Sequence, residues 1–159
     1  LIAELVGPDR IVEGVRLFRE RYAEVYTDGT RVLTGVRATL ADLTARGYRL
    51  SVASNKPARF GSEIARRLAL SDYLVSVHGP DTVGVTKPHP AMLERCLADM
   101  GSTATHGLYV GDMVLDVESG ARAGLPVVLV SSGSSSHADL QATGCLTIGS
   151  LEELRAILP

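Results

Sequence analysis

Two acidic side chains in this sequence are spaced for binding a divalent cation. Asp112 and Asp116 lie four residues apart and follow the apolar segment 108–110, which is predicted to be a strand. An ionised carboxylate at the end of a buried strand is costly unless it is paired or binds a cation. Two hard oxygen ligands, with positions left for water and phosphate, suit Mg²⁺ better than zinc or calcium. We therefore predict a Mg²⁺ site here, although helix capping explains each carboxylate separately.

A second group of polar residues has the composition of an anion site. Ser54, Asn55 and Lys56 follow the predicted strand 48–53 and precede a predicted helix. A hydroxyl, an amide and an ammonium group then lie next to a helix N-terminus, whose free N–H groups favour an anion. Helix capping by Ser54 or Asn55 is the alternative, but it does not account for Lys56, which the positive end of a helix disfavours.

Lysine is rare in this chain, which draws attention to Lys87. Only Lys56 and Lys87 are lysines among the 16 basic residues, and Lys87 lies beside Pro88 and close to Pro90. The chain otherwise uses arginine for its basic residues. A remaining lysine therefore suggests a position that needs a compact ammonium charge. A solvated loop lysine is the alternative interpretation.

The elements that must position these residues alternate between helix and strand. An amphipathic helix is predicted over 9–26 and a turn over 27–30. The strands are predicted at 48–53, 74–77, 107–110, 126–130 and 145–148. Helices are predicted around Val36–Leu43, Phe60–Leu68, Ala91–Met100, Leu115–Ala123 and Leu154–Ile157. This order predicts a parallel sheet with helices on both faces and ligands at the carboxyl ends of the strands. The Ser-rich segment Ser131–Ser136 is predicted to be a surface loop rather than a part of the site.

Composition excludes several classes of protein. The chain has 159 residues, of which 45% are apolar, and a net charge of −2 without a basic run, so nucleic acid is not an expected partner. No apolar run approaches the ~20 residues of a membrane span, and the N-terminus lacks signal-peptide features. Two cysteines do not make a disulfide framework, so a cytoplasmic location is expected. Nucleotide-binding glycine motifs and a G-x-S-x-G elbow are not found.

Three motifs together resemble those of a known family. They are Val52-Ala53-Ser54-Asn55-Lys56-Pro57, Thr86-Lys87-Pro88-His89-Pro90, and Tyr109-Val110-Gly111-Asp112-Met113-Val114-Leu115-Asp116. In this order and spacing they resemble the haloacid dehalogenase superfamily of phosphatases, and within it phosphoglycolate phosphatases and their relatives. The resemblance covers the chain from about residue 32 to its end. It implies an α/β fold with a three-layer αβα, Rossmann-like core over 31–159, and it makes residues 1–30 the remainder of a helical cap.

The resemblance also implies a role for each candidate residue. The phosphoryl oxygens of a small phosphorylated metabolite would be held after the first strand. A lysine would neutralise the negative charge of the phosphate and of the nucleophile. One Asp would bind Mg²⁺, and the second Asp would contact the ligands of the metal or lie near the lysine. These roles fall on Ser54, Asn55 and Lys56 for phosphate, on Lys87 and Asp116 for catalysis, and on Asp112 for Mg²⁺.

One motif of the family is not matched. Its nucleophile is the first Asp of a D-x-D-G-T segment, whereas the similar segment Tyr26–Thr30 has Tyr26 in that position and follows a helical pattern. We therefore expect a cap-to-core turn at this segment and a nucleophile outside these 159 residues. The first strand of the core is then also expected to be missing, from a position between or beside the strands that end at Ala53 and Gly111. The chain is accordingly expected to be a fragment.

Two functions remain open at this point. The first is a Mg²⁺-dependent phosphatase that acts on a small organic phosphate such as 2-phosphoglycolate. The second is an inactive phosphate- or Mg²⁺-binding or interaction module. A response-regulator receiver domain is disfavoured because its acidic residues precede its Ser/Thr and Lys, whereas Ser54 and Lys87 precede Asp112 here. The sequence does not indicate the oligomeric state.

Overall fold

The computed structural model describes residues 2–159, with side chains from residue 4 onward. It divides into two units, Leu1–Arg31 and Val32–Pro159. The assignment of residues 1–30 to a helical cap and of 31–159 to a core stays a prediction.

The first unit is helical. Helix α1 spans Ile2–Val6, a 3₁₀ turn spans Pro8–Arg10 and helix α2 spans Ile11–Val25. Helix α2 therefore matches the amphipathic helix expected over 9–26. The ring of Tyr22 stacks on that of Phe18 at 5.8 Å and lies 6.1 Å from the tilted ring of Tyr26, just after the helix.

The segment Tyr26–Thr30 is a turn at the end of α2, as predicted. The N–H of Tyr26 still donates to the Tyr22 carbonyl at 2.9 Å, and the Thr30 hydroxyl donates to the Tyr26 carbonyl at 3.0 Å. Gly29 has a φ of 69°, a conformation that glycine adopts without strain. Tyr26 therefore lies at a helix C-terminus and not at the end of a buried strand.

The second unit alternates helices and strands. Its helices are α3 (Val36–Ala45), α4 (Ala58–Arg67), α5 (Pro80–Val83), α6 (Ala91–Asp99), α7 (Val114–Arg122), α8 (His137–Ala142) and α9 (Leu154–Ile157). Its strands are β1 (Leu50–Ala53), β2 (Leu74–His78), β3 (Tyr109–Gly111), β4 (Val127–Val130) and β5 (Leu146–Ile148). Helices α5 and α8 are too short to show a helical period, so the sequence did not predict them. Within residues 2–159, no helix has both the length and the apolar character to cross a membrane.

All strand pairs are parallel, which confirms the predicted α/β class. Strand β1 pairs with β2, and β4 lies between β3 and β5. The strands form a two-stranded and a three-stranded sheet instead of the single sheet expected, since no ladder joins β1 to β3 in the described part of the chain. An additional strand of the core is predicted from the sequence between or beside these two strands, and its position stays a prediction.

Two groups of buried side chains position the strand ends. Leu129 of the central strand β4 is fully buried, and its neighbours Val128 and Val130 pack with Ile148 of β5. A second cluster consists of Leu93, Leu97 and Leu125, and both Ala53 of β1 and Tyr109 of β3 pack against it. Because they contact the same cluster, the carboxyl end of β1 and strand β3 are held near each other without pairing.

Candidate active site

The most buried charges of the site form an ion pair. The Lys87 ammonium donates to Asp116 Oδ1 at 2.7 Å, and the side chains of Lys87 and Asp116 are only 12% and 2% exposed. Lys87 lies in the loop that precedes α6, while Asp116 lies in the first turn of α7. The two residues are 29 positions apart, so only the fold brings them together.

Tyr109 of β3 completes a triangle with this pair. Its hydroxyl donates to Asp116 Oδ1 at 2.7 Å and accepts from Lys87 Nζ at 2.9 Å. Burial, together with the negative charge of Asp116, raises the pKa of Tyr109, which keeps the hydroxyl protonated and able to donate. Burial alone would raise the pKa of Asp116, but the hydrogen bonds from Lys87 and Tyr109 hold it below its ordinary value. Asp116 is therefore ionised at neutral pH.

The second oxygen of Asp116 is bound by the backbone at the carboxyl end of β3. Asp116 Oδ2 accepts the N–H groups of Asp112 and Met113, each at 3.0 Å. A Cβ at Gly111 would collide with the Asp116 side chain, so only glycine lets the strand come this close. Asp112 and Asp116 thus lie at one strand end, but both oxygens of Asp116 accept hydrogen bonds from the protein instead of facing one cation together with Asp112.

The loop after β4 contacts the Asp112 carboxylate. The Ser134 N–H donates to Asp112 Oδ2 at 2.7 Å, and the Ser135 N–H donates to the Asp112 carbonyl at 3.3 Å. A Cβ on Gly133 would overlap the Asp112 side chain. The sequence predicted a surface loop at Ser131–Ser136. The loop is largely exposed, but the structure places its backbone on a site residue.

Asp112 fits a single carboxylate ligand of Mg²⁺. Across residues 2–159, its Oδ1 atom accepts no protein hydrogen bond, while Ser134 orients the other oxygen. No cluster of three or more His, Cys, Asp or Glu side chains in this range could enclose a metal ion. Mg²⁺ keeps several waters and is often held by one or two carboxylates plus substrate phosphate, so this donor set suits it and not a fully enclosed zinc site.

After β1, the structure differs from the predicted anion site in what the side chains and the helix N–H groups contact. The Ser54 hydroxyl accepts the Lys56 N–H at 3.1 Å, and the Asn55 side chain contacts the backbone of Lys87. The N–H groups at the start of α4 do not face an open position, because Asp81 accepts those of Ala58 and Arg59 at 2.6 and 3.3 Å. The expectation that these helix N–H groups bind an anion ligand is therefore wrong for these two donors.

The carboxylate of Asp81 occupies the N-terminus of α4, where an anionic ligand was expected. Although burial would raise its pKa, the backbone hydrogen bonds from Ala58 and Arg59 hold the pKa of Asp81 below its ordinary value. The backbone of Lys56 donates its N–H to Ser54, and its carbonyl lies against Gly79. Asn55, one of the predicted phosphate ligands, contacts the backbone of the Lys87 loop.

Three contributors to the site are not predicted from the sequence. Tyr109 was interpreted only as an apolar strand residue, Asp81 was not assigned a role, and Gly133 was placed in a loop outside the site. A tyrosine hydroxyl two residues before Gly111-Asp112 was the one available signal for Tyr109. Asp81 and Gly133 act 23 and 21 residues away from their partners, which sequence spacing does not indicate.

Replacing Gly133 by Ala tests the contact with Asp112. Gly133 has no positive φ, so the new methyl group acts only through its collision with the Asp112 side chain. We expect the Gly133→Ala variant to fold and to bind Mg²⁺ about tenfold more weakly, since residues behind a metal ligand typically contribute factors of 10–100. Calorimetric titration with Mg²⁺ measures this, and Ser132→Ala in the same loop is the control. Equal affinity in both variants would contradict the contact.

Comparisons with known proteins agree with the geometry. The family model for haloacid dehalogenase-like hydrolases matches residues 3–130. The chain is 36% identical over 131 residues to a phosphoglycolate phosphatase of Yersinia pestis, covering 82% of the chain and 54% of the relative. It is 40% identical over 118 residues to one of Rhodospirillum rubrum, covering 74% and 49%. The chain therefore spans about half the length of these curated relatives.

A solved structure shares the fold. A haloacid dehalogenase-like family hydrolase from Streptococcus pneumoniae superimposes with a TM-score of 0.88 at 18% sequence identity. The match covers 99% of the chain and 74% of that structure. At this identity the superposition establishes a common fold and nothing more specific.

Proposed function

The chain belongs to the haloacid dehalogenase-like hydrolase family, and from this premise we propose that the protein is a Mg²⁺-dependent phosphatase of small phosphate monoesters. The observation that carries the proposal is the buried Lys87–Asp116 pair, at 2.7 Å, directly beside Asp112. A fixed cation next to a carboxylate that can hold Mg²⁺ is what phosphoryl transfer requires, because its catalysis is mainly positioning and stabilisation of negative charge.

Lys87 has one donor left for the substrate. An ammonium group has three N–H bonds, and two of them go to Asp116 and Tyr109. The third binds a phosphoryl oxygen in the proposed reaction. Asp116 and Tyr109 act by fixing the direction of that bond, and Asp116 also limits the net charge of the pocket.

Ser54 and Asp112 supply the other contacts. The Ser54 oxygen accepts the Lys56 N–H, which leaves its own O–H to donate to a second phosphoryl oxygen. Asp112 would hold Mg²⁺ through its Oδ1 atom. When bound, Mg²⁺ polarises the phosphoryl group as a Lewis acid.

The proposed reaction forms an aspartyl-phosphate. An Asp carboxylate attacks phosphorus, the ester P–O bond breaks and the leaving oxygen takes a proton; water then releases phosphate from the acyl phosphate. Tyr26 occupies the position that matches the family nucleophile, so the proposal places this Asp outside residues 1–159. Residues 1–159 alone are then expected to be inactive.

The substrate we propose is a small organic phosphate such as 2-phosphoglycolate. This proposal rests on the relatives, two of which are named phosphoglycolate phosphatases and are at least 36% identical to the chain.

Hydrolysis assays with the protein expressed from its complete gene test this function. We expect phosphate release from 2-phosphoglycolate in the presence of Mg²⁺, and loss of at least about 99% of it after chelation, because a bound metal contributes several kcal/mol to the stabilisation of the transition state. Sugar phosphates and nucleoside monophosphates serve as comparison substrates. Equal turnover with and without chelator would contradict the assignment.

The second candidate, a binding module without turnover, is favoured by one observation. Tyr26 at a helix C-terminus cannot serve as the carboxylate nucleophile. In that case the protein from the complete gene binds Mg²⁺ and inorganic phosphate but releases no phosphate from any of the esters. The same assay therefore distinguishes the two functions.

A further inference from the structure

The side chain of Asn55 is joined to the backbone of Lys87 by two hydrogen bonds. The Lys87 N–H donates to Asn55 Oδ1 at 2.7 Å, and Asn55 Nδ2 donates to the Lys87 carbonyl at 3.4 Å. Asn55 is also the only asparagine in the sequence. Both polar ends of the amide therefore contact a residue that lies 32 positions away.

From this geometry we infer that Asn55 is a positioning residue for Lys87 and that it acts on the phosphate only through Lys87. This inference rests on the proposed phosphatase function, which places Lys87 on the phosphoryl group. It differs from the role in direct phosphate binding that the family resemblance implied for Asn55.

Lys87 is held at both ends by this arrangement. Asp116 and Tyr109 bind its ammonium group, while Asn55 binds its backbone. A lysine side chain has many rotamers, so fixing the ammonium group alone would leave the position of the backbone open. The loop carrying Lys87 follows Gly84, and the Asn55 contact ties it to the end of β1.

The orientation of the amide also argues for this role. The shorter of the two bonds, at 2.7 Å, directs Oδ1 of Asn55 to the Lys87 N–H, and this bond sets the plane of the whole amide group. An amide oxygen cannot donate to a phosphate, and one of the two N–H bonds of Nδ2 is directed to the Lys87 carbonyl, so the double-mutant cycle below tests the second N–H bond.

Amide hydrogen exchange tests the contact without substrate or metal. We expect the Asn55→Ala variant to exchange the Lys87 N–H at least about tenfold faster than the unmodified protein, because its acceptor is lost. Gln141→Ala removes an exposed amide from α8 and is the matched control, with unchanged exchange at Lys87. Unchanged exchange at Lys87 in Asn55→Ala would overturn the inference.

A double-mutant cycle tests whether Asn55 acts through Lys87. Binding of inorganic phosphate with Mg²⁺ present is measured for the unmodified protein, Asn55→Ala, Lys87→Met and the double variant. We expect Asn55→Ala to weaken binding about tenfold, and the double variant to equal Lys87→Met, since residues that act through one contact are not additive. A further tenfold loss in the double variant would show a direct phosphate contact and overturn the inference.

The hydrogen-exchange experiment and the phosphate-binding cycle together distinguish a failure of this inference from a failure of the proposed function. If the unmodified protein does not bind phosphate, the proposed function fails, and so does the part of the inference that concerns the phosphate. The exchange result then still decides whether Asn55 holds Lys87. If phosphate binds and the cycle is additive, only the role of Asn55 is wrong.

Discussion

The Asp112→Asn variant is expected to keep its fold and to lose Mg²⁺-dependent phosphate release by about three orders of magnitude. The amide oxygen of an asparagine can still accept the Ser134 N–H that Asp112 Oδ2 accepts at 2.7 Å, so the loop after β4 keeps its anchor. What is lost is the negative charge of the candidate Mg²⁺ ligand. Steady-state hydrolysis and Mg²⁺ titration of the protein from the complete gene measure the two effects.

A charge-matched control separates this effect from a general change in surface charge. Asp139→Asn removes one carboxylate charge from α8, where Asp139 contacts Ser136 and not the site. We expect unchanged hydrolysis in this variant. Undiminished turnover of Asp112→Asn, in contrast, would mean that Asp112 does not hold the metal.

Replacing Lys87 by Met is expected to reduce both activity and stability. Methionine keeps an unbranched side chain but leaves Asp116 ionised and without its cationic partner. Loss of a charge-stabilising donor typically costs a factor of 10²–10³ in turnover, and breaking a buried ion pair costs about 3–5 kcal/mol of stability. Hydrolysis assays and chemical denaturation of Lys87→Met are the measurements. A variant as stable and as active as the unmodified protein would contradict the pair.

A second substitution separates the structural and the catalytic part of this loss. In Lys87→Met/Asp116→Asn, the amide oxygen can accept the N–H groups of Asp112 and Met113 and the amide nitrogen can donate to Tyr109, so no charge stays buried alone. We expect this double variant to recover most of the stability and none of the activity. Recovery of activity would show that Lys87 has only a structural role.

The stability loss in Lys87→Met should depend on pH in a defined direction. The pKa of Asp116 is held below its ordinary value by Lys87 and Tyr109, although burial opposes this. The folded state then gains stability from an ionised Asp116 above the unfolded pKa, and this gain is lost as the pH falls through the lowered pKa. The difference in unfolding free energy between the two proteins should therefore be largest near neutral pH and shrink in acid.

Much of the architecture could be predicted because its signals are local. Each of the five strands and the long helices show a period of apolar residues or a bounding glycine, as α3 does before Gly47. Parallel strands bring their carboxyl ends to one edge, and on this basis Asp112 and Asp116 are expected at one point, whereas Lys87 is singled out by the rarity of lysine and by its neighbouring prolines. In the structure Asp116 accepts the backbone N–H of Asp112 and pairs with Lys87.

The direction of individual side chains could not be predicted in the same way. Ser54, Asn55 and Lys56 were assigned to one anion site, but the structure uses Asn55 to hold the Lys87 backbone and fills the start of α4 with Asp81. These contacts join residues 32 and 23 positions apart. A helix N-terminus attracts any carboxylate, so the sequence shows that the position is favourable for an anion without showing which anion occupies it.

The sequence by itself determined the parallel α/β class, the family, the strand end that carries Asp112 and the candidates Lys87 and Asp116, because residue type and local periodicity fix these. The tertiary structure alone decided that Tyr109 closes the triangle with the ion pair, that Gly133 lies against Asp112, and that β1 and β3 belong to separate sheets. These features depend on distances of a few ångströms between segments far apart in the chain, and such distances result from packing around a shared core rather than from local preference.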